Sequence, residues 1–469
     1  MADSFQTIHP PTGEPIHSYQ HFDAQTVENS ISWASERFHS FKTKSIASKA
    51  EDLKHLASEL RAEKNSLARL ITLEMGKAIQ DSEAEIEKCA MTCEYFADRL
   101  PAFLAPQESP SHYAKSKVVK ESLGPILTIM PWNFPIWQVM RFAAPALGIG
   151  NPILLKHSDL TAGTAEKLGE IFDRVERGLL INLRIDHKQA ARVIADKRVR
   201  GVTLTGSTRA GKEIASESGK HLKKTVLELG GSDAYVVLKD ADLKAAARTC
   251  ALARMTNNGQ SCIAAKRFLV DQSVFAEFLK FFEMAMKEVR MGDPFVRETQ
   301  VGSLASKKFQ KQLLEQCAFL EKAGGEKIFD LDSRFDFSHP GAFFPARAYK
   351  VTAEQDMAFE DEFFGPVALM WSFQSEKEAL ALCNRSVYGL GGAVFSKDEK
   401  RAEEFARGME AGFITINDQV KSDPRLPFGG VKESGYGREL GLYGFNEFCN
   451  IKSLGFGSVE KKSEAAQSE

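Results

Sequence analysis

Cys262 closes the stretch NNGQSC just past a break in a helical run, with the apolar segment Ile263 to Val270 behind it. A nucleophilic thiol needs access, a lowered pKa, and a donor for the oxyanion that its attack creates. Gly259 permits close approach of backbone to a substrate, and a strand after the cysteine holds the thiol at an element end. Free cysteines are usually buried packing residues, and that reading stays open beside the nucleophilic one. Glu228, in LELGG, ends a strand before two glycines. A carboxylate with room around it suits a general base, and equally a capping or surface group. Asn133, in MPWNFP, sits among prolines and aromatics that would hold an amide donor rigidly.

Three further segments carry polar groups at element ends. LTGSTRAG puts Gly206 and Ser207 at a strand-to-helix turn, where free backbone N–H groups favour a phosphate, although the GxGxxG fingerprint is absent. LLKHSD puts Lys156 and Asp159 at another strand end, suited to ribose hydroxyls or to plain solvation. Arg141 lies amid apolar and aromatic neighbours, where a cation needs a partner: a protein carboxylate or an anionic ligand.

The elements that must position these groups belong to a chain of 469 residues, too long for one core. The charge balance, 61 Lys+Arg against 63 Asp+Glu, gives no case for nucleic acid or an anionic membrane as partner. Seven scattered cysteines read as free thiols in a reducing compartment. Cys89 and Cys93 lack a matching pair, so no metal site is expected. The N-terminus has no signal-peptide pattern and no apolar run is long enough to span a bilayer, so a cytoplasmic location is expected.

From about Thr26 to Leu104 the pattern is helical, with Leu53, Leu56, Leu60, Leu67 and Leu70 at helical spacing. A Pro/Ser-rich bridge follows, whose alternating second half reads as an exposed hairpin arm. PILTIM, NPILLKHS, RGVTLTG and VLELGGSDAYVVL then read as strands separated by helices, which predicts an open, mostly parallel α/β sheet. A second α/β unit contains the cysteine and IAAKRFLV as a strand, and runs to about Gly430. The tail from Lys461 is polar and expected to be disordered.

MPWNFP, LTGSTRAG, LELGG, NNGQSC, EFFGPV and LPFGGVKESGYGREL stand in the order and rough spacing of the aldehyde dehydrogenase superfamily, which the chain resembles from about residue 10 to 452. The resemblance implies an α/β fold of two Rossmann-like lobes plus an oligomerisation β-arm. It implies a nucleotide-binding domain at 1–105 and 123–228, a catalytic domain at 229–429, and an arm at 106–122 and 430–458, leaving 459–469 as tail. It places Cys262 on the catalytic nucleophile, Glu228 on the general base, and Asn133 on the oxyanion amide, with the Cys262 N–H as companion donor. It also places Glu362 on the nicotinamide ribose with Phe364 beside it, Lys156 on the adenosine ribose, Ser207 with Gly206 near the pyrophosphate, and Trp132 at the cofactor cleft. A homodimer or homotetramer is implied.

Asp159 occupies a position where a glutamate often selects against a 2′-phosphate. Its carboxylate favours NAD, with NADP possible. FPIWQVMRFAAP and QVKSDPRLPFGGVKESGYGREL resemble the short bacterial succinate-semialdehyde dehydrogenases, which implies that Arg141 and Ser422 hold a distal carboxylate. One methylene changes discrimination by only about 1–3 kcal/mol, so glutarate semialdehyde stays open. The alternatives are a broad-specificity aldehyde dehydrogenase with a structural Arg141, and, more remotely, a non-catalytic relative that has kept the fold.

Overall fold

The computed structural model describes residues 4–332 and 340–457. The expected tail at 459–469 lies outside the described residues. Two open sheets organise the chain. In the first, five parallel strands lie side by side in the order Lys224–Glu228, Gly201–Thr205, Ile126–Met130, Ile153–His157, Leu180–Asn182. Ile126–Met130 is first in sequence yet central in space, so the chain leaves it to one side and later returns to the other. The crevice beyond its C-terminal end, next to that of Gly201–Thr205, is the switch point at which open parallel sheets bind ligands. These strands read as continuous apolar runs because both faces are covered, and every residue of Ile153–His157 and Gly201–Thr205 is buried.

The helical N-terminal region resolves into Ala24–Phe41, Ile46–Ala62, Lys64–Met75 and Ile79–Leu104. Leu53, Leu56, Leu60 and Leu67 enter the core that these helices share with the helix Trp137–Ile149, while Leu70 is only half-buried. The second sheet has the order Glu326–Asp330, Arg347–Lys350, Val367–Phe373, Arg267–Asp271, Ala234–Val237, Gly391–Phe395, Phe413–Ile416, and only the first of these strands is antiparallel to its neighbour.

IAAKRFLV is shorter as a strand than its apolar run predicts. The strand begins at Arg267, because Ala264 N–H closes a turn on the Ser261 carbonyl and the Lys266 and Arg267 N–H groups both bond the Asp233 carbonyl. Cys262 therefore stands on a tight loop in front of the strand.

The arm is a three-stranded antiparallel sheet in which Lys115–Ser122 pairs along its whole length with Cys449–Phe456 and, at Lys117 and Val118, with Gln107–Glu108. The interval 430–458 is not all arm. Gly435–Tyr436 adds to the outer edge of the first sheet beside Glu228, and Val431–Lys432 pairs with Tyr388–Gly389.

Candidate active site

The loop that carries Cys262 is built by three successive residues in the left-handed region, Asn257 (φ 56°), Asn258 (φ 59°) and Gly259 (φ 73°). Asparagine tolerates that conformation better than most residues, and glycine tolerates it freely. A Cβ on Gly259 would also lie 2.4 Å from the Gly365 carbonyl carbon, so no side chain fits there. The asparagine amides then lock the reversal. Asn257 Nδ2 donates to the Asn133 carbonyl at 2.8 Å and to the Gln260 carbonyl at 3.1 Å. Asn258 Nδ2 donates to the carbonyls of Gly76 at 3.1 Å and Ser303 at 2.7 Å. On the other side of the cysteine, Lys266 Nζ donates to the carbonyls of Ser261 and Cys262, each at 2.7 Å.

The Asn133 side chain is joined to the same loop, because its Nδ2 donates to the Gln260 carbonyl at 3.1 Å. One of its two amide hydrogens is so engaged. The other is left to a ligand, and the Cys262 N–H makes no hydrogen bond among the described residues. Burial pushes the Cys262 thiol up to about 12, while the positive charges of Arg141 and Lys266 pull it down and Glu362 and Glu228 push it further up. In this state the thiol is protonated at neutral pH.

Glu228 ends its strand as predicted, but the glycines after it serve another purpose than room for the carboxylate. A Cβ on Gly231 would lie 2.5 Å from the Cys262 carbonyl oxygen, and one on Gly230 would lie 2.9 Å from Glu362 Oε2. The turn is thus pressed against the cysteine loop. The Glu228 carboxylate is buried, lines neither of the two cavities that meet at Cys262, and has no hydrogen-bond partner among the described residues. Burial raises its pKa well above the carboxylate range; Arg141 opposes the rise and Glu439 adds to it. A base in waiting fits this environment.

Cys262 lines two cavities, one on each side of its loop. The larger, about 1040 Å³, follows the switch-point crevice and contains Trp132, Asn133, Lys156, Asp159, Gly206, Ser207, Glu362 and Phe364 together. Trp132 stacks on Phe309 at 4.7 Å and meets Phe364 edge-on at 5.8 Å, giving an aromatic wall. Ser207 caps the helix Thr208–Lys220 through the Ala210 N–H, so that helix N-terminus faces the cleft. Lys156 Nζ bonds the His157 carbonyl at 3.2 Å and stands 3.9 Å from Asp159, which leaves donors for hydroxyls; burial lowers its pKa. Asp159 is partly exposed, with His21 Nε2 at 3.5 Å on its other side. Glu362 accepts from the Gly231 N–H at 3.1 Å and meets Lys266 at 3.3 Å. An anion-binding helix end, hydroxyl-binding charges and an aromatic wall fit a dinucleotide.

The smaller cavity, about 500 Å³, is lined by Cys262 and Asn257 together with Lys88, Trp137, Arg141, Ser422 and Phe428. Arg141 is not the unpartnered cation that its apolar surroundings allow. It is fully buried, forms an ion pair with Glu439, donates to Thr205 Oγ1 at 3.0 Å, and lies over the Phe428 ring. Of the two partners left open for Arg141, the protein carboxylate is present, and Glu439 sits too far along the sequence for spacing to reveal it. Ser422 is buried and accepts from Lys88 Nζ at 2.8 Å.

Sequence reasoning missed Lys88, Asn257, Lys266 and Glu439. A signal existed for Lys266, a lysine inside an apolar run; Lys88 and Glu439 give none, since their surroundings arise only in three dimensions. No cluster of three or more His, Cys, Asp or Glu suited to a metal occurs among the described residues.

The comparisons agree with this geometry. The family model described as aldehyde dehydrogenase family matches residues 1–454. A probable succinate-semialdehyde dehydrogenase [NADP(+)] of Synechocystis sp. is 40% identical over 455 residues, covering 96% of this chain and 98% of that one. A succinate semialdehyde dehydrogenase [NAD(P)+] of Escherichia coli is 37% identical over 459 residues, covering 96% and 97%. The crystal structure of succinic semialdehyde dehydrogenase from Streptococcus pyogenes in complex with NADP+ superposes with a TM-score of 0.94 at 35% identity, over 97% of this chain and all of that one. A thiol on a strained loop between two cavities, with a dinucleotide-shaped cleft on one side, is what the match across nearly the whole chain requires: the protein belongs to the aldehyde dehydrogenase family and is an NAD(P)-dependent enzyme.

Proposed function

We propose that the enzyme oxidises succinate semialdehyde to succinate, through a thiohemiacetal and a thioester on Cys262, with NAD preferred over NADP. The observation that carries this reading is the position of Cys262 where the two cavities meet, with Ser422 and cationic side chains in the wall of the smaller one. The names of the Synechocystis, Escherichia coli and Streptococcus relatives support the same substrate.

The aldehyde enters the smaller cavity with its carbonyl toward Cys262. The thiolate adds to the carbonyl carbon, and the oxyanion is received by the free hydrogen of Asn133 Nδ2 and the Cys262 N–H. A single donor of this kind lowers the barrier by about 2.7–4 kcal/mol. The bound nicotinamide supplies the acceptor for hydride. Glu228 then turns from its buried position toward the thioester and takes a proton from the attacking water, releasing the acid. Trp132, Phe364, Glu362, Lys156, Asp159, Gly206 and Ser207 hold the dinucleotide in the larger cavity. Arg141 and Ser422 stand at the substrate's far end. The active form is a homodimer or homotetramer joined through the arm, working in the reducing cytoplasm where its seven thiols stay free.

The Arg141–Glu439 pair favours one rival, a broad-specificity aldehyde dehydrogenase whose pocket wall is neutral. Steady-state kcat/KM for succinate semialdehyde, glutarate semialdehyde and butanal separates the two. A strong preference for the acid-bearing aldehydes is expected, and a preference for butanal would hand the case to the rival.

A further inference from the structure

We propose that Lys88 is the residue that selects for the distal carboxylate, as a cation of the inner pocket wall that makes no ion pair among the described residues. The proposal rests on the reading that the substrate is an acid-bearing aldehyde. Lys88 lies on the helix Ile79–Leu104 and its side chain lines the same cavity as Cys262. Its ammonium donates to Ser422 Oγ at 2.8 Å, lies 4.0 Å from the Trp137 ring centroid, and makes no ion pair among the described residues. The charged groups around it are already engaged. Glu85, one turn earlier on the same helix, is ion-paired with Lys77 and accepts from the N–H groups of Ile136 and Trp137, each at 2.8 Å. Arg141, on the helix Trp137–Ile149, is neutralised by Glu439. Asp423, on the segment that carries Ser422, is bound by Arg425. Cys89 is a buried thiol. Asp81 and Lys421 also line the cavity, but both are exposed.

An ammonium resting on an aromatic face and a hydroxyl is only partly compensated for lost water, and a carboxylate completes the set. Ser422 and Lys88 together offer it one hydroxyl and the remaining ammonium donors. Burial lowers the Lys88 pKa to about 8, so the charge is present at neutral pH and is lost as the solution becomes alkaline.

The test is the ratio of kcat/KM for succinate semialdehyde to that for butanal, in which effects on Cys262 and Glu228 cancel because both substrates share them. Lys88→Met, which keeps the bulk beside Trp137, is expected to lower the ratio by about thirtyfold or more, the cost of removing one partner of a buried charge pair. In the wild type the ratio is expected to fall as the pH is raised from about 7 to about 10, a range in which a lysine titrates and an arginine does not. An unchanged ratio in Lys88→Met overturns the proposal. If that variant does not fold, a flat wild-type pH profile overturns it equally. A wild type with no preference for the semialdehyde at pH 7 overturns the substrate reading itself, whereas a preference that survives Lys88→Met overturns only the role of Lys88.

Discussion

The guanidinium of Arg141 and the carboxylate of Glu439 form an ion pair with both side chains only 2% exposed, joining the helix Trp137–Ile149 to the segment before the helix Gly441–Glu447. Removing one partner of such a pair strands the other charge, at a cost of about 3–5 kcal/mol. Arg141→Met is therefore expected to lower the thermal midpoint and to depress turnover of charged and uncharged aldehydes together. Differential scanning calorimetry beside kinetics on both substrates checks this. A variant that melts like the wild type and loses only the semialdehyde would return the anchoring role to Arg141.

Cys262→Ala is expected to abolish aldehyde oxidation and leave cofactor affinity within a few-fold, because the thiol only borders the larger cavity while its walls come from other elements. Isothermal titration with NAD, next to a turnover assay, reads both quantities. Residual turnover near the wild-type level would remove Cys262 from the chemistry.

Burial raises the Cys262 thiol to about 12 and holds Glu228 well above the carboxylate range. Both groups act in their deprotonated forms. A raised pKa shifts each toward its protonated form, so activity is expected to rise toward alkaline pH and fall toward acid. Alkylation of the cofactor-free enzyme by iodoacetamide should accelerate about tenfold per pH unit between about 7 and 9, since only the thiolate reacts. A rate flat across that range would mean that the thiolate already exists in the free enzyme.

Asp159 lines the larger cavity near Lys156 and should repel a 2′-phosphate. NAD is expected to give the higher kcat/KM, and Asp159→Ser to shift the ratio toward NADP by about tenfold, the effect of roughly one kcal/mol or a little more. A wild type that prefers NADP would show that Lys156 and His21 outweigh the carboxylate.

In the arm, among the described residues, Cys449–Phe456 pairs on one side only and Gln107–Glu108 covers only part of Lys115–Ser122, so strand edges stay open there. Open edges of this length are stable when a second copy covers them. Light scattering is expected to give a dimer or tetramer at micromolar concentration, and a monomer would contradict it.

Much of this site was legible in the sequence because its residues sit where patterned elements stop. Asn133, Lys156, Gly206 and Glu228 follow or close apolar runs, and parallel strands deliver their C-terminal ends to one edge of the sheet whatever the loop details. NNG was legible as a break, but its use was not: only the backbone shows three left-handed residues with the Asn257 amide bonding the Asn133 carbonyl. Arg141, Glu439 and Lys88 lie outside such logic. Which cation is balanced and which is bare depends on contacts across some 300 residues of chain, and neither spacing nor periodicity carries that information.

Lys266 gives the molecule an interlock. Its ammonium, wholly buried, holds the carbonyls of Ser261 and Cys262 with two of its hydrogens and faces Glu362 with its remaining charge. Glu362 is also a wall of the dinucleotide cleft. One buried charge pair therefore ties the wall of the cleft to the cysteine loop, so that a shift of Glu362 would be felt at Ser261 and Cys262 through the Lys266 ammonium.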